Sequence, residues 1–139
     1  MSAKDIFHNT VRSALEKDGW TITDDPLFLQ PSQRVKMKID LGAEKLLSAF
    51  KGNRRIAVEV KSFVGLSTIS EFHTAVGQFL NYRTALEKLE PERVLYLAVP
   101  ADVYRNFFTD SFVQEVIERL QIKLLVFVVE KQEIALWTD

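Results

Sequence analysis

The stretch RRIAVEVKSF, residues 54–63, alternates like a strand within a sheet, with a carboxylate and an ammonium where core-forming residues are common. Successive side chains of a strand point to opposite faces of its sheet. The apolar face contains Ile56, Val58 and Val60. The opposite face contains Arg55, Ala57, Glu59 and Lys61. The stretch therefore predicts a strand that supports the core on one side and presents charged groups on the other.

The surrounding sequence predicts elements in the order α-β-β-β-α-β-α-β-β. The first helix is expected from Ala3 to about Asp18, where Gly19 ends the periodic pattern. Extended segments then follow around Pro26, in VKMKIDLG (35–42), and in a hairpin whose turn is placed at Gly52 and Asn53. The remaining segments are a long helix capped by Ser67 or Ser70, the strand RVLYLAVP (93–100), a helical region at 101–120 interrupted near Thr109 and Asp110, and the strands IKLLVFVV (122–129) and EIALW (133–137). The predicted fold class is α/β, a mixed central sheet flanked by helices in one domain, residues 1–139.

Composition limits the classes of function. The chain has 139 residues, 47% hydrophobic and 27% charged, which is typical of a soluble globular protein. Cysteine is absent, which excludes disulfides and thiolate chemistry. No signal-peptide pattern or apolar run of about 18 residues is present, so we expect a cytoplasmic protein that does not enter membranes. A net charge of −1 argues against a surface that binds nucleic acid all over, so any contact with DNA is expected to be local.

Asp40 is the residue that gives the charged strand a chemical interpretation. In VKMKIDLG, Asp40 alternates with the apolar residues, on the same face as Arg34, Lys36 and Lys38. Pairing with RRIAVEVKSF would bring Asp40 within reach of Glu59 and Lys61. Two carboxylates about 5 Å apart repel by roughly 3 kcal/mol at an effective dielectric near 20. Mg²⁺ or Mn²⁺, bound by Asp40, Glu59 and the Val60 carbonyl, would offset that repulsion, and Lys61 could then assist hydrolysis. The alternative is an ordinary exposed ion pair on a strand.

Asp40, followed after 18 residues by Glu59-Val60-Lys61, resembles the D…ExK signature of the PD-(D/E)xK nucleases, which share the restriction-endonuclease-like fold. That resemblance implies metal binding by Asp40 and Glu59 and catalysis assisted by Lys61. Gln78 and Tyr82 resemble the QxxxY element of RecB-like members, which adds Gln78 to the catalytic group; a contact between side chains four apart on a helix is the alternative. Ile39 replaces the superfamily's proline before the aspartate. Glu16 is the candidate for a first-helix glutamate, and an exposed helix position is its alternative.

Nearly the whole chain resembles the XisH family, the fdxN element excision controlling factors of cyanobacteria. The matching segments are MSAKDIFHNTVRSALEKDGWTITDDPLFL, IDLGAEKL, IAVEVKSF, ISEFHTAVGQFLNYRTALE and PERVLYLAVP. This resemblance implies a role in excising a DNA element, beside a site-specific recombinase and an XisI-like companion protein. Whether the protein cuts DNA is left open. The alternatives are a controlling factor that keeps the nuclease fold for binding or assembly, and a purely structural interaction domain. Homo-oligomerisation is also left open.

Other polar residues are given weaker roles. His8 and His73 lie far apart, without a zinc-binding pattern, so we expect surface or core positions for both. Phosphate contacts are a candidate role for the cations near the strands, with a solvated strand edge as the alternative. These cations are Arg34, Lys36, Lys38, Arg54 and Arg55.

Overall fold

A six-stranded mixed sheet forms the centre of the computed structural model, which describes residues 3–48 and 52–138. The strands are β1 (Thr21–Asp24), β2 (Leu27–Leu29), β3 (Met37–Ile39), β4 (Leu41–Ser48), β5 (Gly52–Val60), β6 (Arg93–Pro100), β7 (Leu124–Val128) and β8 (Glu133–Trp137). The helices are α1 (Ala3–Lys17), α2 (Thr68–Leu89), α3 (Ala101–Val103), which continues as a π-helical segment (Tyr104–Phe108), and α4 (Ser111–Leu120). The predicted mixed α/β class is confirmed.

The sheet has the strand order β1-β4-β5-β6-β7-β8, while β2 and β3 form a separate two-stranded sheet. The pairs β5–β6 and β6–β7 are parallel, and the other neighbours are antiparallel. The long helix α2 is the crossover that joins β5 to the parallel β6. It begins where the Ser67 side chain accepts a hydrogen bond from the Ser70 amide, one of the two caps expected from the sequence.

Two layers of apolar side chains cover the two faces of the sheet. On one face, α1 packs over a cluster that includes Leu15, Trp20, Ile56, Val58, Tyr96 and Phe127. On the other face, α2 and the segments from α3 to α4 pack over a cluster that includes Ala57, Phe72, Phe79, Leu97, Phe108 and Ile117. The predicted alternation of β5 is therefore present, because Ile56 and Val58 belong to the first cluster and Ala57 to the second. In the described ranges, no helix is long and apolar enough to cross a bilayer.

Buried Arg93 ties the sheet together at the end where β6 begins. Its guanidinium donates to the Ile56 carbonyl at 2.8 Å, to the Glu90 carboxylate at 3.0 Å and to the Asp24 carboxylate at 3.3 Å. These three acceptors satisfy a cation whose side chain is only 1% exposed. Gly42 lies against this group, and a Cβ there would be 2.8 Å from Arg93 Nη1. A side chain at position 42 would therefore have to displace the Arg93 guanidinium or its Asp24 partner.

Two predictions about the strands before α2 are wrong. Five strands precede α2 where three were predicted, because the chain bends at Asp40: β3 pairs with β2, whereas β4 pairs with β1 and β5. Gly52 and Asn53 do not form the hairpin turn; they pair with Ser48 and Leu46 at the start of β5. The connection itself, residues 49–51, lies outside the described residues.

The predicted interruption of the last helical region is confirmed. The π-helical segment ends at Phe108, and Asp110 then caps α4 by accepting hydrogen bonds from the amides of Phe112 and Val113. An aspartate that caps a helix satisfies amides that have no partner within it. The sequence signal at Thr109 and Asp110 therefore marks the start of a new helix.

Candidate functional site

Asp40 lies at the bend between β3 and β4, directly beside the end of β5. The pairing of Leu41 with Val58 places position 40 opposite Glu59. The Val60 amide donates to Asp40 Oδ2 at 2.8 Å, and the Asp40 amide donates to Glu59 Oε1 at 3.2 Å. Two reciprocal hydrogen bonds therefore hold the two carboxyl groups at one end of the sheet.

Glu59 is a buried carboxyl group, 7% exposed, on the face of the sheet that α2 covers. Burial raises its pKa from 4.5 to about 7, and the negative charge of Asp40 adds to the rise. The Lys61 ammonium, 3.6 Å from Glu59 Oε2, acts in the opposite direction without cancelling the rise. The protein therefore carries a proton-accepting group whose pKa is close to neutral pH, a common property of functional sites.

Lys61 leaves β5 at the same end of the sheet. Its amide donates to the Ala98 carbonyl of β6 at 3.0 Å, which fixes the backbone, while the side chain is 26% exposed. Lys61 also lines a cavity of about 230 Å³ together with Phe63, Ser70, Glu71 and Thr74. The ammonium therefore lies between the buried Glu59 carboxyl and an opening that solvent can enter.

Tyr82 and Gln78 lie one turn apart on α2. Burial, followed by the negative charges of Glu59 and Asp40, raises the pKa of Tyr82 to about 12, so the phenol lies within the field of both carboxyl groups. Gln78 Oε1 is buried and has no hydrogen-bond partner among the residues that the structure describes. A buried amide oxygen without a partner is costly, and it indicates a place for a water or a ligand group.

Sequence reasoning missed the beginning of this polar stripe on α2. Glu71 and Thr74 line the cavity beside Lys61, and Gln78 and Tyr82 follow at helical spacing. The signal was available, because residues three and four apart on one helix share a face. Together with β5, the stripe forms one wall of the site.

Other predicted residues lie elsewhere. Glu16 is on the exposed side of α1, 3.9 Å from Arg12, while α1 covers the opposite face of the sheet. His8 contacts Asp25 at 2.7 Å, and His73 is exposed on α2. Within residues 3–48 and 52–138, no group of three or more His, Cys, Asp or Glu side chains is arranged to hold a metal. Any cation at this end of the sheet would therefore rely on two carboxylates and backbone or water oxygens.

The expected shared basic face does not form on the central sheet. Lys38 belongs to β3, and Arg34 and Lys36 to the loop before it, because the bend at Asp40 separates this segment from β4. Arg54 instead donates to the Tyr96 hydroxyl at 2.5 Å, and its guanidinium also lies over three aromatic rings. Arg55 forms ion pairs with Glu90 and Glu92. The two arginines of β5 are therefore engaged within the protein.

Known proteins provide an independent comparison. The family model described as XisH protein matches residues 1–135. An XisH family protein from Nostoc punctiforme PCC 73102 is 50% identical, with a TM-score of 0.88 over 97% of this chain and 100% of that chain. An fdxN element excision controlling factor protein from Anabaena variabilis is 51% identical, with a TM-score of 0.88 over 97% of this chain and 99% of that chain. No curated protein matches. The chain therefore belongs to the XisH family.

Proposed function

We propose that this protein is a DNA-element excision controlling factor that hydrolyses phosphodiester bonds with Mg²⁺ or Mn²⁺ at a PD-(D/E)xK site in a restriction-endonuclease-like fold. The observation that carries the proposal is the pair of reciprocal hydrogen bonds joining Asp40, Glu59 and the Val60 amide. The excision role rests on the name of the similar protein from Anabaena variabilis.

The residues present suit a hard divalent cation. Carboxylate and carbonyl oxygens are its preferred ligands, and Asp40, Glu59 and the Val60 carbonyl are the candidates to supply them. A cation would favour the ionised form of Glu59, whose pKa is raised in its absence. The buried Gln78 oxygen, which has no partner among the described residues, suits a water of a partly hydrated Mg²⁺. When bound, the cation supplies Lewis acidity toward a phosphoryl oxygen.

The chain's own side chains then have distinct roles. Lys61, beside Glu59 and the opening, places positive charge where a phosphate would gain negative charge. The Tyr82 phenol keeps its proton at neutral pH, because its pKa is about 12, and can donate a hydrogen bond. Gln78 orients a water through its amide. Asp40 fixes the backbone of Val60 as well as offering an oxygen.

A plasmid-nicking assay tests this function. We expect the wild type to convert supercoiled DNA to open circles with Mg²⁺ or Mn²⁺ and not with a chelator. Lys61→Ala should lower the rate by roughly 10²-fold or more, because a charge aimed at the transition state is lost. Lys131→Ala removes an exposed cation after β7 and should leave the rate unchanged. Isothermal calorimetry should detect Mn²⁺ binding to the wild type and not to Asp40→Asn. A wild type that neither cuts DNA nor binds Mn²⁺ would contradict the proposal.

A second candidate is a non-catalytic factor that keeps the fold and acts through an XisI-like companion and a site-specific recombinase. This function is favoured by the interactions that the two carboxyl groups make within the protein. Each accepts a hydrogen bond from a backbone amide, and the Lys61 ammonium provides a positive charge beside Glu59. Under this function, Asp40→Asn and Lys61→Ala should leave excision in cells intact. Loss of excision in both variants, with their folding unchanged, would favour the catalytic function.

A further inference from the structure

The segment at residues 26–39, which contains β2 and β3 and is called the basic hairpin below, differs in charge from the rest of the chain. It contains Arg34, Lys36 and Lys38 and no acidic residue, whereas the whole chain has 18 basic and 19 acidic residues. Three unopposed positive charges in so short a segment give a local positive field that the overall charge of −1 conceals.

The basic hairpin has a buried face and an outer face. Leu27, Leu29 and Ile39 are buried in the apolar cluster beneath α2, so they anchor the hairpin. Phe28 and Lys38 pair across the two strands on the outer face, and Phe28 is 75% exposed. From α2, Lys88 donates to the Pro31 carbonyl at 2.6 Å, which holds the connecting loop. The outer face is thus a supported surface rather than a free tail.

The three cations of the basic hairpin lack ion-pair partners among the described residues. Arg34, Lys36 and Lys38 are all exposed, and none forms an ion pair with any residue described at 3–48 or 52–138. Elsewhere, Arg55 and Arg93 each have two carboxylate partners. Lys38 beside the exposed Phe28 ring, with Arg34 and Lys36 in the loop before β3, suits a ligand that offers phosphates and flat apolar rings.

The basic hairpin leads directly into the candidate site. Ile39 ends β3, and the next residue is Asp40, whose carboxylate accepts the Val60 amide at 2.8 Å. Lys38 is two residues from Asp40, a separation of about 7 Å along extended chain. A DNA strand carries one phosphate per about 3.4 Å of duplex axis, so a strand held at Lys38 would reach Asp40 within a few nucleotides.

Building on the DNA-cutting function proposed above, we propose that the basic hairpin holds the DNA next to Asp40. Arg34, Lys36 and Lys38 contact backbone phosphates, and the Phe28 ring stacks on an unpaired base. The hairpin therefore favours single-stranded or locally melted DNA over an intact duplex, because stacking on an aromatic side chain requires an exposed base face.

Fluorescence anisotropy with a labelled oligonucleotide of about 20 nucleotides tests this role, in a chelator so that no cutting occurs. We expect the triple variant R34A/K36A/K38A to bind a single strand roughly 100-fold more weakly than the wild type at about 0.1 M salt. The slope of log affinity against log salt should become shallower by about 2, at roughly 0.7 for each phosphate contact to a single strand. The control R105A/R119A/K131A removes three exposed cations from other parts of the surface and should keep the wild-type slope.

A second measurement compares how Phe28→Ala changes the binding of single-stranded and of double-stranded DNA. Phe28→Ala should weaken single-strand binding by roughly 5-fold or more and affect a blunt duplex of the same sequence much less. Equal losses on both probes would overturn the stacking role. Because Phe28 is largely exposed, a folding defect is not expected, and circular dichroism of each variant checks this.

The outcomes separate this role from the proposed function. A wild type that binds neither probe refutes the hairpin role, whereas the proposed function is refuted by the nicking and Mn²⁺-binding assays. A wild type that binds DNA while R34A/K36A/K38A matches it in affinity and slope refutes the hairpin role alone. If that triple variant still binds DNA normally but abolishes excision in cells, the hairpin serves an acidic protein surface instead, which also overturns the proposal. Asp40→Asn should bind the single strand at least as tightly as the wild type, even if cutting is lost.

Discussion

The carboxyl group of Glu59 should make the protein less stable as the pH rises toward neutral. In the folded state its pKa is about 7, against 4.5 for an ordinary glutamate, so the folded protein holds this proton more tightly than the unfolded chain does. Below pH about 4.5 both states are protonated and Glu59 contributes no pH dependence. Between about 4.5 and 7 only the unfolded chain releases the proton, which favours unfolding, and above about 7 the full penalty is present.

The size of the effect follows from the shift. One pKa unit corresponds to about 1.4 kcal/mol, so a rise from 4.5 to about 7 amounts to about 3 kcal/mol. Glu59→Gln removes the titration while keeping an oxygen that can accept the Asp40 amide. Without divalent metal, the free energy of unfolding of Glu59→Gln minus that of the wild type should therefore grow by about 2.5 kcal/mol between pH about 5 and about 8, because the unfolded chain has already begun to release its proton at pH about 5.

Urea unfolding followed by circular dichroism, across that pH range and with a chelator, measures this difference. Subtracting the two proteins cancels the titration of the shared groups that do not interact with Glu59. Glu118→Gln removes an exposed carboxylate and should give a curve parallel to the wild type. Asp40→Asn removes the second cause of the shift, so the loss at high pH should shrink but persist through burial. A difference between Glu59→Gln and wild type that is constant with pH would refute the reasoning.

Three further changes test local packing and helix capping. Gly42→Ala should destabilise the protein by roughly 1–3 kcal/mol, since its Cβ would be 2.8 Å from Arg93 Nη1 and 2.9 Å from Asp24 Oδ2. Gly77→Ala should stabilise α2 by roughly 0.5–1 kcal/mol, because an added Cβ would meet no described atom within 4 Å apart from the helix's own nearby backbone. Equal effects of the two glycine changes in urea unfolding would contradict this packing. Asp110→Ala should cost about 1 kcal/mol in the same assay by removing the cap of α4, and an unchanged midpoint would contradict that capping role.

Local patterns account for what the sequence could predict. The period-two alternation of β5 separates Val58 from Glu59, and that alternation, combined with antiparallel pairing, brings Asp40 beside Glu59. The Ser67 cap and the apolar stripe define α2 in the same way. Each of these features depends on residues close in sequence or on one pairing of neighbouring strands, so the periodicity of side chains is sufficient.

The features that the sequence could not predict depend on which distant segments of the chain pack together. The alternation through residues 35–42 is continuous, and only the separate pairing of β2 with β3 produces the bend at Asp40. The polar face of β5 is read from sequence as exposed, yet α2 lies over it and buries Glu59. Arg54 looks like a surface cation, but its guanidinium lies over the rings of Trp20, just before β1, of Tyr96 in β6 and of Trp137 in β8. Tertiary packing therefore determines the bend at Asp40, the burial of Glu59 and the surroundings of Arg54.

The contact between Trp20 and Trp137 makes tryptophan fluorescence sensitive to one face of the sheet only. These are the protein's two tryptophans, with ring centroids 5.7 Å apart, and both lie on the face of the sheet covered by α1. Asp40 and Glu59 meet beneath α2 on the other face, where Tyr82 is the nearby chromophore. Intrinsic tryptophan emission will therefore follow the detachment of α1 and β8, whereas a displacement confined to α2 will leave it unchanged and alter only the tyrosine signal.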